Sequence, residues 1–188
     1  MNKDANVNIV LVATKCLTGI ANGLRKDFSK YSSLVRYNIK YKIILIIFIY
    51  LFKCYGPLMD RFKEKKQNIV EALREACDAI YPSTNLENIS ETAIANLAHK
   101  TPVVRQQVAL FLARCFAMCT QTTLPKKVLK LYLPPLVKNL SEADPTVRDT
   151  SAEALGAILK ALGEKIFLPQ IGEIEQIKMD KVTIYKHN

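Results

Sequence analysis

The sequence predicts an all-α chain, a solenoid of stacked helix pairs, on three observations: apolar residues recur at intervals of three and four, Pro, Gly and Asp punctuate those runs, and one turn-plus-helix segment returns along the chain. In residues 8–24, Ile9, Val12, Ala13, Cys16, Leu17, Ile20 and Leu24 share one helical face. Gly23 and Lys26 mark its expected end. Residues 69–80 repeat the pattern through Ile69, Leu73, Ala76, Cys77 and Ile80, and Pro82 stops it because its ring lacks an N–H and crowds the preceding turn.

A shorter helix over 88–98 uses Ile89, Ala93, Ile94 and Leu97, and a longer one over 103–118 uses Val104, Val108, Phe111, Leu112 and Cys115. His99, Lys100, Thr101 and Pro102 form the tight turn between them, with Pro102 where a helix start tolerates a missing donor. Residues 124–140 give the next outer helix, with Pro134 and Pro135 expected to kink it. Ser141 to Pro145 break it, and Asp144 is placed to cap the helix carrying Val147, Ala154, Leu155, Ile158 and Leu162, which Gly163 closes. One more short helix is expected around 171–177, its burial incomplete as suits the end of a stack.

The segments KKQNIVEAL at 65–73, KTPVVRQQVAL at 100–110 and ADPTVRDTSAEAL at 143–155 line up, with Val70, Val104 and Val147 spaced 34 and 43 residues apart. That period is the one HEAT and armadillo repeats use, so the fold class is a HEAT-repeat α-solenoid. The opening DANVNIVLVATKCL has the same character, but Val10 and Val70 are 60 apart. The stretch YNIKYKIILIIFIYLFKCY at 37–55 accounts for the excess: it is rich in Ile, Phe, Tyr and Lys with almost no small or acidic residues, and removing it restores a gap of 41. The chain therefore reads as one partial domain over 1–188 with an anomalous apolar insertion at 37–55. A membrane anchor is the alternative for that run, but its ten apolar residues between Lys42 and Lys53 fall well short of the roughly 20 a spanning helix needs.

A chain of 188 residues with 27 basic and 17 acidic side chains carries a formal charge of +10, which favours an acidic partner. The five cysteines, Cys16, Cys54, Cys77, Cys115 and Cys119, sit in apolar helical patterns and read as free thiols of a reducing compartment. MNKDANVNIV lacks the layout of a secretory signal, so the cytoplasm is expected. Catalysis finds no support: His99 lies in a turn, His187 beside the terminus, and neither belongs to a nucleophile or metal motif. Asp144 has a capping role, Asp149 faces solvent, and the six glycines are scattered, so no cofactor or metal is expected.

Stacking helix pairs brings the turns within successive pairs to one edge. That edge carries Lys65 and Lys66 in one turn, His99 and Lys100 in the next with Arg105 just beyond, and Arg148 after the last. Two readings stand. One is a solvated edge in which an arginine pairs with a nearby acid such as Glu142, Asp144 or Asp149. The other is a linear electrostatic footprint for a flat acidic protein surface, with Arg148 reaching a carboxylate through two N–H groups. Nucleic acid would also suit the cluster Lys63, Lys65 and Lys66, but no aromatic platform interleaves with the basic positions, so neither nucleic acid nor membrane is taken as the partner.

The segments NIVLVATKCLTGIANGLRKDFSKY, FKEKKQNIVEALREACDAIY, RQQVALFLARCF, TLPKKVLK and DPTVRDTSAEALGAILKALGEK, in this order and spacing, resemble a TOG domain of the ch-TOG/XMAP215/Dis1 microtubule polymerases, most of all the second domain of their array. The resemblance implies a TOG-type, partial solenoid whose intra-repeat turns grip the curved alpha/beta-tubulin dimer at the microtubule plus end, in the cytoplasm, spindle and centrosome. It implies further that Lys65 and Lys66 supply the third turn, His99 and Lys100 the fourth and Arg148 the fifth, with Arg105 beside the fourth and Asn6 and Asn8 near the second. One departure is plain: the family's first turn bears a tryptophan, and this chain has none and starts inside the second repeat. A generic HEAT scaffold for another acidic protein or peptide is the remaining alternative.

Overall fold

The computed structural model describes residues 7–31 and 54–186. The expected insertion at 37–55, apart from Cys54 and Tyr55, lies outside the described residues, as do Asn6 and His187. The described residues form helices joined by turns, in two compact units, Met1–Ile89 and Ser90–Asn188.

In the first unit α1 (Val7–Tyr31) packs against α3 (Gln67–Ile80), which also carries the short α2 (Tyr55–Asp60) and the single turn Arg61–Lys63. Leu58, Met59, Phe62, Ile69, Leu73, Ala76, Cys77 and Ile80 are completely buried. Tyr55, expected as the last residue of the insertion, belongs to this core, and its hydroxyl donates to the Cys77 carbonyl at 2.9 Å. α3 stops at Ile80, and Pro82 sits in the one tight turn that follows.

The face of α1 differs from the expected one. Thr14 and Ala21 are buried, whereas Ile9, Val12, Cys16 and Ile20 are exposed. Asn8, Lys15, Asn22 and Lys26 form a polar arc, and the apolar arc opposite is wide enough to offer more than one line of contact; packing on α3 buries the line at its edge with the small residues Thr14 and Ala21. Thr14 enters that contact because its hydroxyl is satisfied by the Leu11 carbonyl at 2.8 Å. Gly23 does not end α1, which runs on to Tyr31. A helical glycine costs only about 1 kcal/mol relative to alanine, too little to stop a helix by itself.

The second unit builds two layers. α4 (Ser90–Leu97), α6 (Lys126–Asn139) and α8 (Glu164–Ile171) form one, and α5 (Pro102–Ala117), α7 (Pro145–Leu162) and α9 (Gln176–Lys186) the other. α5 against α7 is the principal packing, continued by α9 on the far side of α7. Phe116 and Tyr132 meet edge to face with centroids 5.5 Å apart, joining the layers. The Asn139 amide donates to the Leu97 carbonyl at 3.1 Å, so a buried polar side chain satisfies a helix-end acceptor. At the chain end, Gly172 with φ +74 separates α8 from α9, so two helices stand where one short helix over 171–177 was expected. The architecture is the all-α HEAT-type solenoid that the sequence predicts.

Candidate protein-interaction edge

The three helices Gln67–Ile80, Pro102–Ala117 and Pro145–Leu162 begin in matching ways, with Lys66, Thr101 and Asp144 as N-caps in extended conformation. Counting from these caps corrects the repeat register at its first member: Ile69, not Val70, matches Val104 and Val147, and all three are completely buried. Val70 then stands where the other two helices carry Arg105 and Arg148.

Those two arginines do the same thing locally. Arg105 Nη1 donates to the carbonyls of His99 at 2.7 Å and Lys100 at 3.4 Å. Arg148 Nη1 donates to the carbonyls of Glu142 and Ala143, both at 2.7 Å. Each guanidinium folds back over the turn that precedes its own helix and fixes two carbonyls no helix can satisfy. It also places a positive group near a helix start, which the macrodipole disfavours and its two carbonyl contacts offset.

They differ in what remains. Arg105 Nη2 bonds the Glu142 carboxylate of the next turn at 3.1 Å, its side chain is only 12% exposed, and its Nε is buried without a partner among the described residues. Arg148 keeps Nη2 and Nε without a partner among the described residues, half-buried and already aimed by the Nη1 anchor. Arg105 therefore follows the acid-pairing reading, with Glu142 as the acid, while Arg148 retains a fork that fits a carboxylate.

A second cross-link went unread in the sequence. Lys178, in the first turn of α9, donates to Ser141 Oγ at 2.9 Å and to Glu175 at 2.7 Å. Nothing in its sequence context distinguishes it; the signal lies in the packing of α9 on α7. The turns after α4, α6 and α8 are thus tied into one edge by Arg105 to Glu142 and by Lys178 to Ser141.

His99 is half-buried and its Nδ1 accepts the Thr101 N–H at 3.0 Å, so the ring shapes the turn from within. Lys100 is exposed, and its ammonium meets no hydrogen-bond or ion-pair partner among the described residues. The edge is not uniformly basic. Glu142 is held by Arg105 and Glu175 by Lys178, while Glu173 is exposed. In the first unit, Lys65 and Lys66 are exposed at the start of α3 and likewise unpartnered among the described residues, next to the Arg61 to Glu64 ion pair at 2.8 Å.

Asp144 caps α7 by accepting the Thr146 hydroxyl at 2.6 Å and the Thr146 N–H at 2.8 Å. These bonds, the hydroxyl first, hold its carboxyl below the ordinary range, with the Arg105 charge adding a little. A depressed carboxyl stabilises the fold above its unfolded value and loses that contribution as pH falls through its folded value. Melting followed down through about pH 4 should therefore decline more steeply for the parent than for Asp144→Asn, whose cap does not titrate. Equal slopes would contradict this account of the cap.

Among the described residues no three His, Cys, Asp or Glu side chains group as a metal site, and no helix is long and apolar enough to cross a membrane. Residues 133–162 match the family model for the HEAT repeat. "Protein mini spindles" of Drosophila melanogaster is 44% identical over 97% of this chain, and "Zygote defective protein 9" of Caenorhabditis elegans is 36% identical over 97%. The chain spans only 8% and 12% of those two relatives. A structure solved in work on microtubule plus-end tracking by XMAP215, CLIP-170 and EB1 superposes with a TM-score of 0.82 at 42% identity, covering 99% of this chain and 69% of that one. Another, from work on tubulin recruitment by polymerases with TOG domain arrays, gives a TM-score of 0.75 at 26% identity over 99% of this chain and 35% of that one.

Proposed function

This chain belongs to the TOG-domain HEAT-repeat modules related to the ch-TOG/XMAP215/Dis1 microtubule polymerases, non-catalytic by kinship, and from that premise we propose that it binds the alpha/beta-tubulin dimer through its intra-pair turns. The observation that carries the reading is the edge of the second unit. Its three turns are cross-linked by side chains, Lys100 stands exposed upon it, and Arg148 holds an anchored guanidinium with two nitrogens to spare. Lys65 and Lys66 add two exposed cations at the matching helix start of the first unit.

Tubulin suits this surface in charge, since a net positive chain favours an acidic partner. Its change of shape suits the cross-links. A stiff edge fits one curvature of the dimer and loses contact when the dimer straightens, so affinity differs between free and polymerised tubulin and biases one against the other. The site residues are then Lys65, Lys66, Lys100 and Arg148 in contact, with His99 and Arg105 shaping the turn. Action at the microtubule plus end, spindle and centrosome, and kinship with the second domain of a TOG array, belong to the same proposal.

Titrating labelled free tubulin dimers with the chain tests it. Lys65, Lys66 and Lys100 changed together to Ala should weaken binding by about tenfold or more, because three exposed charges facing carboxylates are worth up to about 1 kcal/mol each. Undiminished affinity would end the proposal. Equal capture of an acidic peptide and of tubulin would favour the generic scaffold instead.

A further inference from the structure

We propose that Thr101 is a phosphorylation site for a proline-directed protein kinase, and that a phosphate there turns the edge from tubulin-binding to tubulin-repelling; the second half rests on the function proposed above. Of the eight prolines, Pro102 alone follows a Ser or Thr, so the one Thr-Pro step of the chain falls inside the candidate edge, directly after Lys100.

The geometry leaves the hydroxyl uncommitted. Thr101 is the N-cap of α5, a position where threonine ordinarily accepts an amide N–H, yet its side chain makes no capping bond. The cap of α7 shows the contrast, with Asp144 fully engaged by Thr146. The Thr101 backbone does the holding instead: its N–H goes to His99 Nδ1, and its carbonyl takes the N–H groups of Val104 at 3.1 Å and Arg105 at 3.4 Å. Thr101 is half-exposed and extended, with φ −88 and ψ 118, and Val103 beyond it is 44% exposed. Presenting the Thr-Pro step to an active site requires opening the first turn of α5, which releases those two bonds and disturbs two largely buried side chains, Val104 and Arg105.

In the reaction the Thr101 hydroxyl oxygen attacks the terminal phosphorus of a nucleoside triphosphate. Its proton passes to the carboxylate base of the kinase, the bond from that phosphorus to the bridging oxygen breaks, and the nucleoside diphosphate leaves. The product bears about two negative charges at the start of a 16-residue helix, where the macrodipole favours them, so the fold is retained. The surface is changed. The new dianion lies beside Lys100, the exposed cation of this turn, on an edge that already carries Glu173, and a partner rich in carboxylates now meets like charge.

The test takes the full chain, a proline-directed kinase and ATP. Intact mass and peptide mapping should find one phosphate at Thr101 and none there in Thr101→Val. The phosphorylated chain, with an unchanged helical signal, should bind free tubulin about tenfold or more weaker than the untreated chain. Thr101→Val should stay within about twofold, since the hydroxyl it removes has no partner among the described residues. Failure of the folded chain to accept phosphate at Thr101, under conditions that phosphorylate a peptide of residues 95–107, would overturn the site. Phosphate accepted with tubulin affinity unchanged would overturn the switch. An untreated chain that does not bind tubulin sinks the proposed function and the switch together, and the mass measurement still decides the site.

Discussion

Replacing Gly156 by leucine is expected to dislodge α9 from α7 and to lower the unfolding free energy by about 3 kcal/mol, near the upper end of what overpacking costs. Gly156 is buried in α7, where a Cβ would lie 2.7 Å from the Tyr185 Cβ and 2.9 Å from the Val182 carbonyl oxygen of α9. Both obstacles sit at the backbone, so no rotamer change relieves them and the helices must separate. Alanine at the same place gains helix propensity worth about 1 kcal/mol, which offsets part of its clash, so Gly156→Ala should fall between parent and leucine. Urea unfolding gives the size of the effect, and amide hydrogen exchange gives its place. Residues 176–186 should lose protection while α5 keeps it, because Val182, now completely buried, would be uncovered. A leucine variant with parental stability and a protected α9 would refute the close approach.

The consequence reaches the candidate edge. Lys178 crosses to Ser141 only because α9 lies against α7, and the closeness that Gly156 permits is what brings it there. Neither Gly156 nor Lys178 stood out in the sequence, for the same reason. A glycine within a helix reads as a weak helix former, and a lysine in an exposed first turn reads as solubility, until the neighbouring helix is in place. Elements stabilised by their own pattern were legible: the apolar spacing of 69–80 and 103–118, Pro102 at a helix start, and Asp144 as a cap with Gly163 as a stop. What depended on neighbours was not. The buried line of α1 is fixed by α3 within a wide apolar arc, and Tyr55 reads as part of an apolar run until its hydroxyl is seen on the Cys77 carbonyl. The turn residues were legible in the sequence as a group, but their division into anchored and available groups came only with the carbonyl contacts. Arg105 and Arg148 occupy the same place in their repeats, and what distinguishes them is the Glu142 carboxylate, bonded by Arg105, where Arg148 takes only the Glu142 and Ala143 carbonyls.

That separation makes the last expectation, that alanine at the two arginines produces opposite profiles. Arg105→Ala should lower stability by about 2 kcal/mol, since it strips the His99 and Lys100 carbonyls of a donor and leaves the Glu142 carboxylate, 30% exposed, without its cation. Any loss of tubulin affinity then follows from a loosened turn, so its dependence on ionic strength should match that of the parent. Arg148→Ala should lower stability by about 1 kcal/mol, because its lost partners are two carbonyls near the surface that water can reach. It should instead weaken tubulin binding by about tenfold or more and flatten the salt dependence, as removing an anchored fork from a carboxylate would. Thermal melts beside titrations at two ionic strengths distinguish the profiles. Equal stability losses with an unaltered salt dependence in both would mean that Arg148, like Arg105, serves only to hold its turn.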